Sequence, residues 1–94
     1  MEYIVLNGQD YQDRKDFYKD VRQKFDFPDY FGRNLDALHD CLTEVGRDVT
    51  VLLLNRDVLT ENLGAYAEKI VRVLKNSAEE NDYLTFRTML LEEE

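Results

Sequence analysis

Apolar side chains along this chain fall either into short continuous runs or into stripes spaced three or four residues apart. Tyr3, Ile4, Val5 and Leu6 form a β-branched and aromatic run that stops at the turn dipeptide Asn7-Gly8, which predicts a first strand over residues 2–6. From about residue 13 to residue 25 the period changes. Phe17, Val21 and Phe25 recur every four residues, with Tyr18 beside them and charged or polar residues between, as in an amphipathic helix.

Residues 27–33, Phe-Pro-Asp-Tyr-Phe-Gly-Arg, break that period. Proline disfavours helix for the residue before it, and glycine admits backbone angles other residues avoid, so a loop is expected here. Asn34 then suits the N-cap of a second helix whose stripe is Leu35, Leu38, Leu42 and Val45 and whose end is expected at Gly46. Val49–Leu54 is a nearly unbroken apolar run of strand length, as expected of a central strand covered on both faces. Thr60 is the expected cap of a third helix carrying Leu63, Ala67, Ile70, Val71 and Leu74. A polar exit over residues 76–82 is expected to lead to a third strand over residues 83–91, and residues 92–94 are expected to form a solvated acidic tail.

The predicted order is β-α-α-β-α-β. Helical crossovers between successive strands favour parallel pairing, so the expected fold is α/β: one small domain over residues 1–94, a three-stranded, mainly parallel sheet packed with helices. No repeat or low-complexity linker divides it.

Composition narrows the chemistry. Ninety-four residues suit one domain, and an apolar content of 44% with six tyrosines and five phenylalanines is enough for a packed core. Twelve Lys and Arg against twenty Asp and Glu give a net charge of −8, which argues against a protein that binds nucleic acid through its phosphates. A cationic partner is the more natural one. No run approaches the roughly 18 apolar residues of a membrane helix, and the first residues lack the pattern of a secretory signal, so the cytoplasm is expected. Cys41 is the one cysteine and His39 the one histidine, which removes an intrachain disulfide and the usual multi-His zinc centres.

The polar residues around the second helix have a definite geometry. Asp36 and Asp40 are four apart and share a helical face, with His39 beside them and Asp29 and Tyr30 in the preceding loop. Like charges at this spacing cost an isolated helix roughly 0.2–0.5 kcal/mol, and only Asp36 recovers some of that from the helix dipole. An exposed acidic face is ordinary, and spacing alone assigns it no function. His39 is expected at the surface, pairing loosely with Asp36 or Asp40, or tuning binding with pH. As metal ligands Asp36, His39 and Asp40 leave the shell open, and as an acid–base pair the two aspartates lack a phosphate loop or nucleophile set. Cys41 lies at the edge of the leucine stripe, where a buried, inert thiol is expected.

The stretch from Pro28 to Asp40 reads Pro-acidic-Tyr-aromatic-Gly-x-Asn-Leu-Asp-Ala-Leu-x-Asp, and in this it resembles the barstar family of intracellular ribonuclease inhibitors. The Asn7-Gly8 turn, the element order and the length extend the resemblance over the chain. It implies inhibition by plugging: the loop and helix enter a ribonuclease cleft, and acidic side chains occupy sites that hold RNA phosphates. Asp40 then resembles the central phosphate-mimicking carboxylate, Asp36 the second charge and Tyr30 the aromatic contact, with Gly32 permitting the turn that aims it. The implied partner-binding set is Asp29, Tyr30, Phe31, Gly32, Arg33, Asn34, Asp36, His39, Asp40 and Thr43. The implied partner is a basic ribonuclease bound one to one, and no cofactor, metal, membrane or direct nucleic-acid contact is expected.

Three positions depart from the best-known member of that family. His39 and Val45 stand where it has tryptophans, and Asn76 where it has a glutamate. An acidic interaction module of the same fold, binding a basic protein other than a ribonuclease, is therefore the alternative.

Overall fold

The computed structural model describes residues 2–89 in the order β1 (Glu2–Asn7), a 3-10 turn (Gly8–Asp10), α1 (Arg14–Phe25), α2 (Leu35–Thr43), β2 (Val49–Leu54), α3 (Arg56–Leu63), α4 (Ala65–Glu80) and β3 (Leu84–Met89). The strands lie side by side as β1-β2-β3, and both pairs are parallel. Register runs from Glu2 beside Val49 beside Leu84 to Asn7 beside Leu54 beside Met89. The α/β class, the three strands and β2 at the centre agree with the sequence reading. The sheet is wholly rather than mainly parallel.

Strand alternation sets the sides. Ile4 and Leu6 are buried while Tyr3 and Val5 are exposed, and Val49, Val51, Leu53 and Leu84 continue the buried side. Against it pack Phe17, Val21 and Phe25 of α1, Leu38 and Leu42 of α2, and Ala67, Ile70, Val71 and Leu74 of α4, joined into one core. The other side is not covered as expected. Leu52 and Leu54 are only half-buried, and Val5 and Arg87 flanking Leu52 are exposed, so β2 is sheltered there mainly by its neighbours.

Helix α1 starts where the sequence places it. Asp13 accepts the Asp16 amide at 2.9 Å, and Asp26 ends the helix in a left-handed conformation, φ 58°, with its amide turned back to Arg22 and Gln23. Helix α2 stops at Thr43, three residues short of Gly46. Val45 lies outside the helix yet is still buried, so its place in the apolar stripe is real while its helical conformation is not.

The largest correction concerns the stretch after β2. Thr60 is not a cap: it lies inside α3, its hydroxyl bonded back to the Arg56 carbonyl at 3.1 Å. The chain turns instead at Asn55, which is buried, has φ 55° and donates its Nδ2 to Asn7 Oδ1 at 3.0 Å. Gly64, φ 62°, then divides one predicted helix into α3 and α4. The order is thus β-α-α-β-α-α-β. Helix α4 also runs through Glu80, well into the expected polar exit. The reason is packing: the buried stripe Ala67, Ile70, Leu74 continues at helical spacing into Ser77 and Asn81, which are buried despite being polar. Strand β3 begins at Leu84, one residue after the predicted start, and the expected end at residues 90–91 and the tail over 92–94 lie outside the described residues. No helix among the described residues is long and apolar enough to cross a membrane.

Candidate protein-binding ridge

Two elements build the ridge, the loop after α1 and the exposed face of α2. The loop is anchored by its aromatic residues. Phe27 stacks on Phe25, ring centroids 5.0 Å apart, and meets Phe31 at 5.1 Å, while Phe31 also leans on Tyr18. The Phe31 amide closes the turn on the Pro28 carbonyl at 2.9 Å. Phe27 and Phe31 are both 8% exposed, whereas Tyr30 between them is 89% exposed. The ring of Phe31 is therefore a core anchor that presents Tyr30, not a projecting contact. Asp29 is also engaged, in an ion pair with Arg22 of α1, although its own side chain remains almost fully exposed.

Gly32 has no left-handed backbone; among the described residues that conformation occurs at Asp26, Asn55 and Gly64. Its smallness serves clearance instead. A Cβ there would stand 3.0 Å from Asn34 Nδ2 and 3.2 Å from Ala37 Cβ, against the first turn of α2. Asn34 caps that turn as expected, its Oδ1 accepting the Ala37 amide at 2.8 Å.

Leu38 and Leu42 are fully buried and fix the rotation of α2, which leaves Asp36 and Asp40 exposed on the opposite side. The carbonyls at its C-terminal end, which no following turn can satisfy, find partners one by one. Thr43 Oγ1 donates to the Asp40 carbonyl at 3.0 Å, and the Glu44 amide to that of Cys41. Asn81 Nδ2 reaches the Leu42 carbonyl at 3.0 Å and the Val45 carbonyl at 2.9 Å. The Thr43 hydroxyl is thus turned to its own helix, and Arg33 is exposed beside the cap.

His39, next to Asp40 on α2, is half-buried, but its main partner is on another helix. Its Nε2 is 2.6 Å from Glu80 Oε2 of α4, and its Nδ1 is 3.8 Å from Asp40 Oδ1. The expected loose pairing with Asp36 or Asp40 is corrected to a close pairing with Glu80, because α2 packs directly on α4. The Glu80 hydrogen bond holds the imidazole above its ordinary pKa, with Asp40 adding to it and partial desolvation opposing. Cys41 is half-buried beside a cleft of about 340 Å³ that also touches Tyr30, Phe27 and Val45. Burial, then the nearby Glu44 and Asp40 charges, push its thiol pKa up, away from the reactive thiolate. Among the described residues no three His, Cys, Asp or Glu side chains are placed to hold a metal ion.

Sequence reasoning missed Glu80 and Arg22. A signal for Glu80 existed: once the α4 stripe is extended through Ser77 and Asn81, Glu80 falls one turn after Asn76 on the same exposed side. Arg22 had none beyond its charge.

Comparison with known proteins gives a family match and a similar curated relative. The family described as "Barstar (barnase inhibitor)" matches residues 1–90. A protein of Bacillus subtilis (strain 168) named "Putative ribonuclease inhibitor YrdF" is 41% identical over 81 residues, which cover 85% of this chain and 89% of that protein.

Proposed function

The chain belongs to the barstar family, and from that premise we propose that it inhibits a basic, microbial-type ribonuclease by filling its active-site cleft, one molecule to one. Asp36 and Asp40 take the places of RNA phosphates there, and Tyr30 is the aromatic contact. The carrying observation is that both carboxylates are exposed one helical turn apart on a helix whose rotation and both ends are fixed. Carboxylates so held accept charge-assisted hydrogen bonds from the Arg, Lys and His side chains that a ribonuclease turns toward phosphate. Because the helix is already ordered, binding does not have to pay for fixing it. Tyr30 adds a large amphipathic ring with little rotamer entropy to lose. The net charge of −8 attracts a basic enzyme at long range.

The remaining residues of the set have supporting parts. Asp29, Phe31, Gly32 and Asn34 shape the loop and the helix start, while Arg33, His39 and Thr43 border the contact. The inhibitor is stoichiometric, does no chemistry of its own, needs no cofactor and works in the cytoplasm, where the lone Cys41 stays reduced. RNA cleavage by barnase or another small basic ribonuclease, titrated with this protein, tests the proposal. Inhibition ends at one equivalent, and Asp40→Ala or Asp36→Ala weakens it at low salt. Unchanged affinity in both variants at low salt would refute phosphate mimicry.

One observation favours the second reading, an acidic module for another basic protein. The positions that are tryptophan in the best-known member hold a buried Val45 and a His39 already engaged by Glu80, and Asn76 stands where that member has a glutamate, so an aromatic and an acidic anchor are lost. Capture of a basic partner that is not a nuclease, lost in Asp40→Ala, would select that reading.

A further inference from the structure

The ring of His39 faces two carboxylates, Glu80 from α4 and Asp40 from α2 itself. A neutral imidazole has one N–H. Placed on Nε2 it serves Glu80 at 2.6 Å, and then Nδ1 is an acceptor turned toward another acceptor, Asp40 Oδ1, 3.8 Å away. Protonation removes the mismatch, since both nitrogens then donate and the positive charge lies between two negative ones. It also changes the ridge: Asp36, Asp40 and Glu80 carry three negative charges beside a neutral ring and a net two beside a protonated one.

We propose that His39 is a proton-operated guard of the ridge, its protonated ring competing with an incoming cationic side chain for Asp40 and Glu80, so that a cationic partner binds with release of that proton. The proposal rests on reading the ridge as a site for cationic groups. The raised pKa of His39 agrees with it and sets the window. The bound state holds fewer protons, so affinity rises with pH, by at most about tenfold per unit, until the pH passes the pKa of the free protein, which lies above the ordinary 6.5. His39 is the one histidine, so the pH dependence in that range is assigned to its ring.

The probe is an acetylated hexa-arginine amide added to the ¹⁵N-labelled protein at low salt, at about pH 6 and about pH 8.5, with affinity read from the amide shifts of Asp36, Asp40 and Glu80. Binding is expected to be at least about threefold tighter at the higher pH, and the difference to disappear in His39→Gln. In the free protein, the His39 ring titration is expected to move down toward its ordinary value in Glu80→Gln. An equal pH dependence in native protein and His39→Gln, or a ring titration untouched by Glu80→Gln, would overturn the guard. Inhibition of barnase and of other small basic ribonucleases is measured separately. If it fails while the peptide binds with a histidine-dependent slope, the ribonuclease reading falls and the guard stands.

Discussion

Asn81 connects the ridge to the sheet through a single side chain, and its removal has a calculable cost. The residue is 7% exposed. Its Nδ2 donates to the carbonyls of Leu42 and Val45 at 3.0 and 2.9 Å, with Thr43 more distant at 3.4 Å, and its Oδ1 accepts the Tyr83 amide at 3.0 Å. Asn81→Ala removes three well-formed bonds. At about 1 kcal/mol net for each, the loss is about 3 kcal/mol, with buried carbonyls left unpaired as the main cause. A domain of this size is stable by roughly 5–14 kcal/mol, so the variant folds but with a large share of its stability gone. Urea unfolding followed by circular dichroism gives the measurement: a midpoint lower by about 1–3 M at unchanged slope. Asn81→Asp sharpens it. That variant keeps the shape but points an oxygen at three carbonyl oxygens, so it is expected to lose at least as much. Exposed Asn76→Ala is the control and should stay within about 0.5 kcal/mol of native. A loss under 1 kcal/mol in Asn81→Ala, or tolerance of Asn81→Asp, would refute the bridging role.

Three further predictions follow from neighbouring residues. Ser77 Oγ is fully buried with no hydrogen-bond partner, so Ser77→Ala is expected to raise stability by about 1 kcal/mol in the same urea assay. Tyr30 is 89% exposed, so Tyr30→Ala leaves stability within about 0.5 kcal/mol, while ribonuclease inhibition, measured in parallel, weakens. The folded pKa of His39 is raised, so the stability it adds is complete below about 6.5 and disappears as pH climbs through the folded value. Thermal unfolding across neutral pH should show that decline in the native protein and a weaker one in Glu80→Gln.

The reach of the sequence depended on what kind of residue carried each feature. Strands β1 and β2, helix α1 and the start of α2 were legible because apolar period and capping residue coincide there: Phe17, Val21 and Phe25 behind Asp13, Leu38 and Leu42 behind Asn34. The errors cluster where polar residues do core work. Asn55 turns the chain with a left-handed backbone and a bond to Asn7, a role that nothing in the order of residues 55–60 distinguishes from Thr60 as a cap. Ser77 and Asn81 occupy buried stripe positions with polar side chains, so a rule that ends a helix where polarity rises stops α4 too early. That early stop also hid Glu80 and, with it, the true partner of His39. Gly32 shows the same limit: its presence is informative, but only the fold around it separates a glycine kept for clearance from one kept for backbone angle.

The acidic pair on α2 is unusual in how little the fold asks of it. A nine-residue helix is too short to persist alone, and here its order comes from Asn34 at one end, Asn81 at the other and the buried Leu38 and Leu42 between. Asp36 and Asp40 contribute to none of these, and their mutual repulsion is carried by the surrounding contacts. Rigidity and charge therefore reside in different residues. Changes at the exposed face can alter the charge it presents without loosening the helix that carries it. His39 is the exception, since its bond to Glu80 belongs both to the α2–α4 contact and to the charge of the ridge. A substitution there alters packing and electrostatics together, and for that reason the expected pH dependence is assigned to this residue and not to the aspartates beside it.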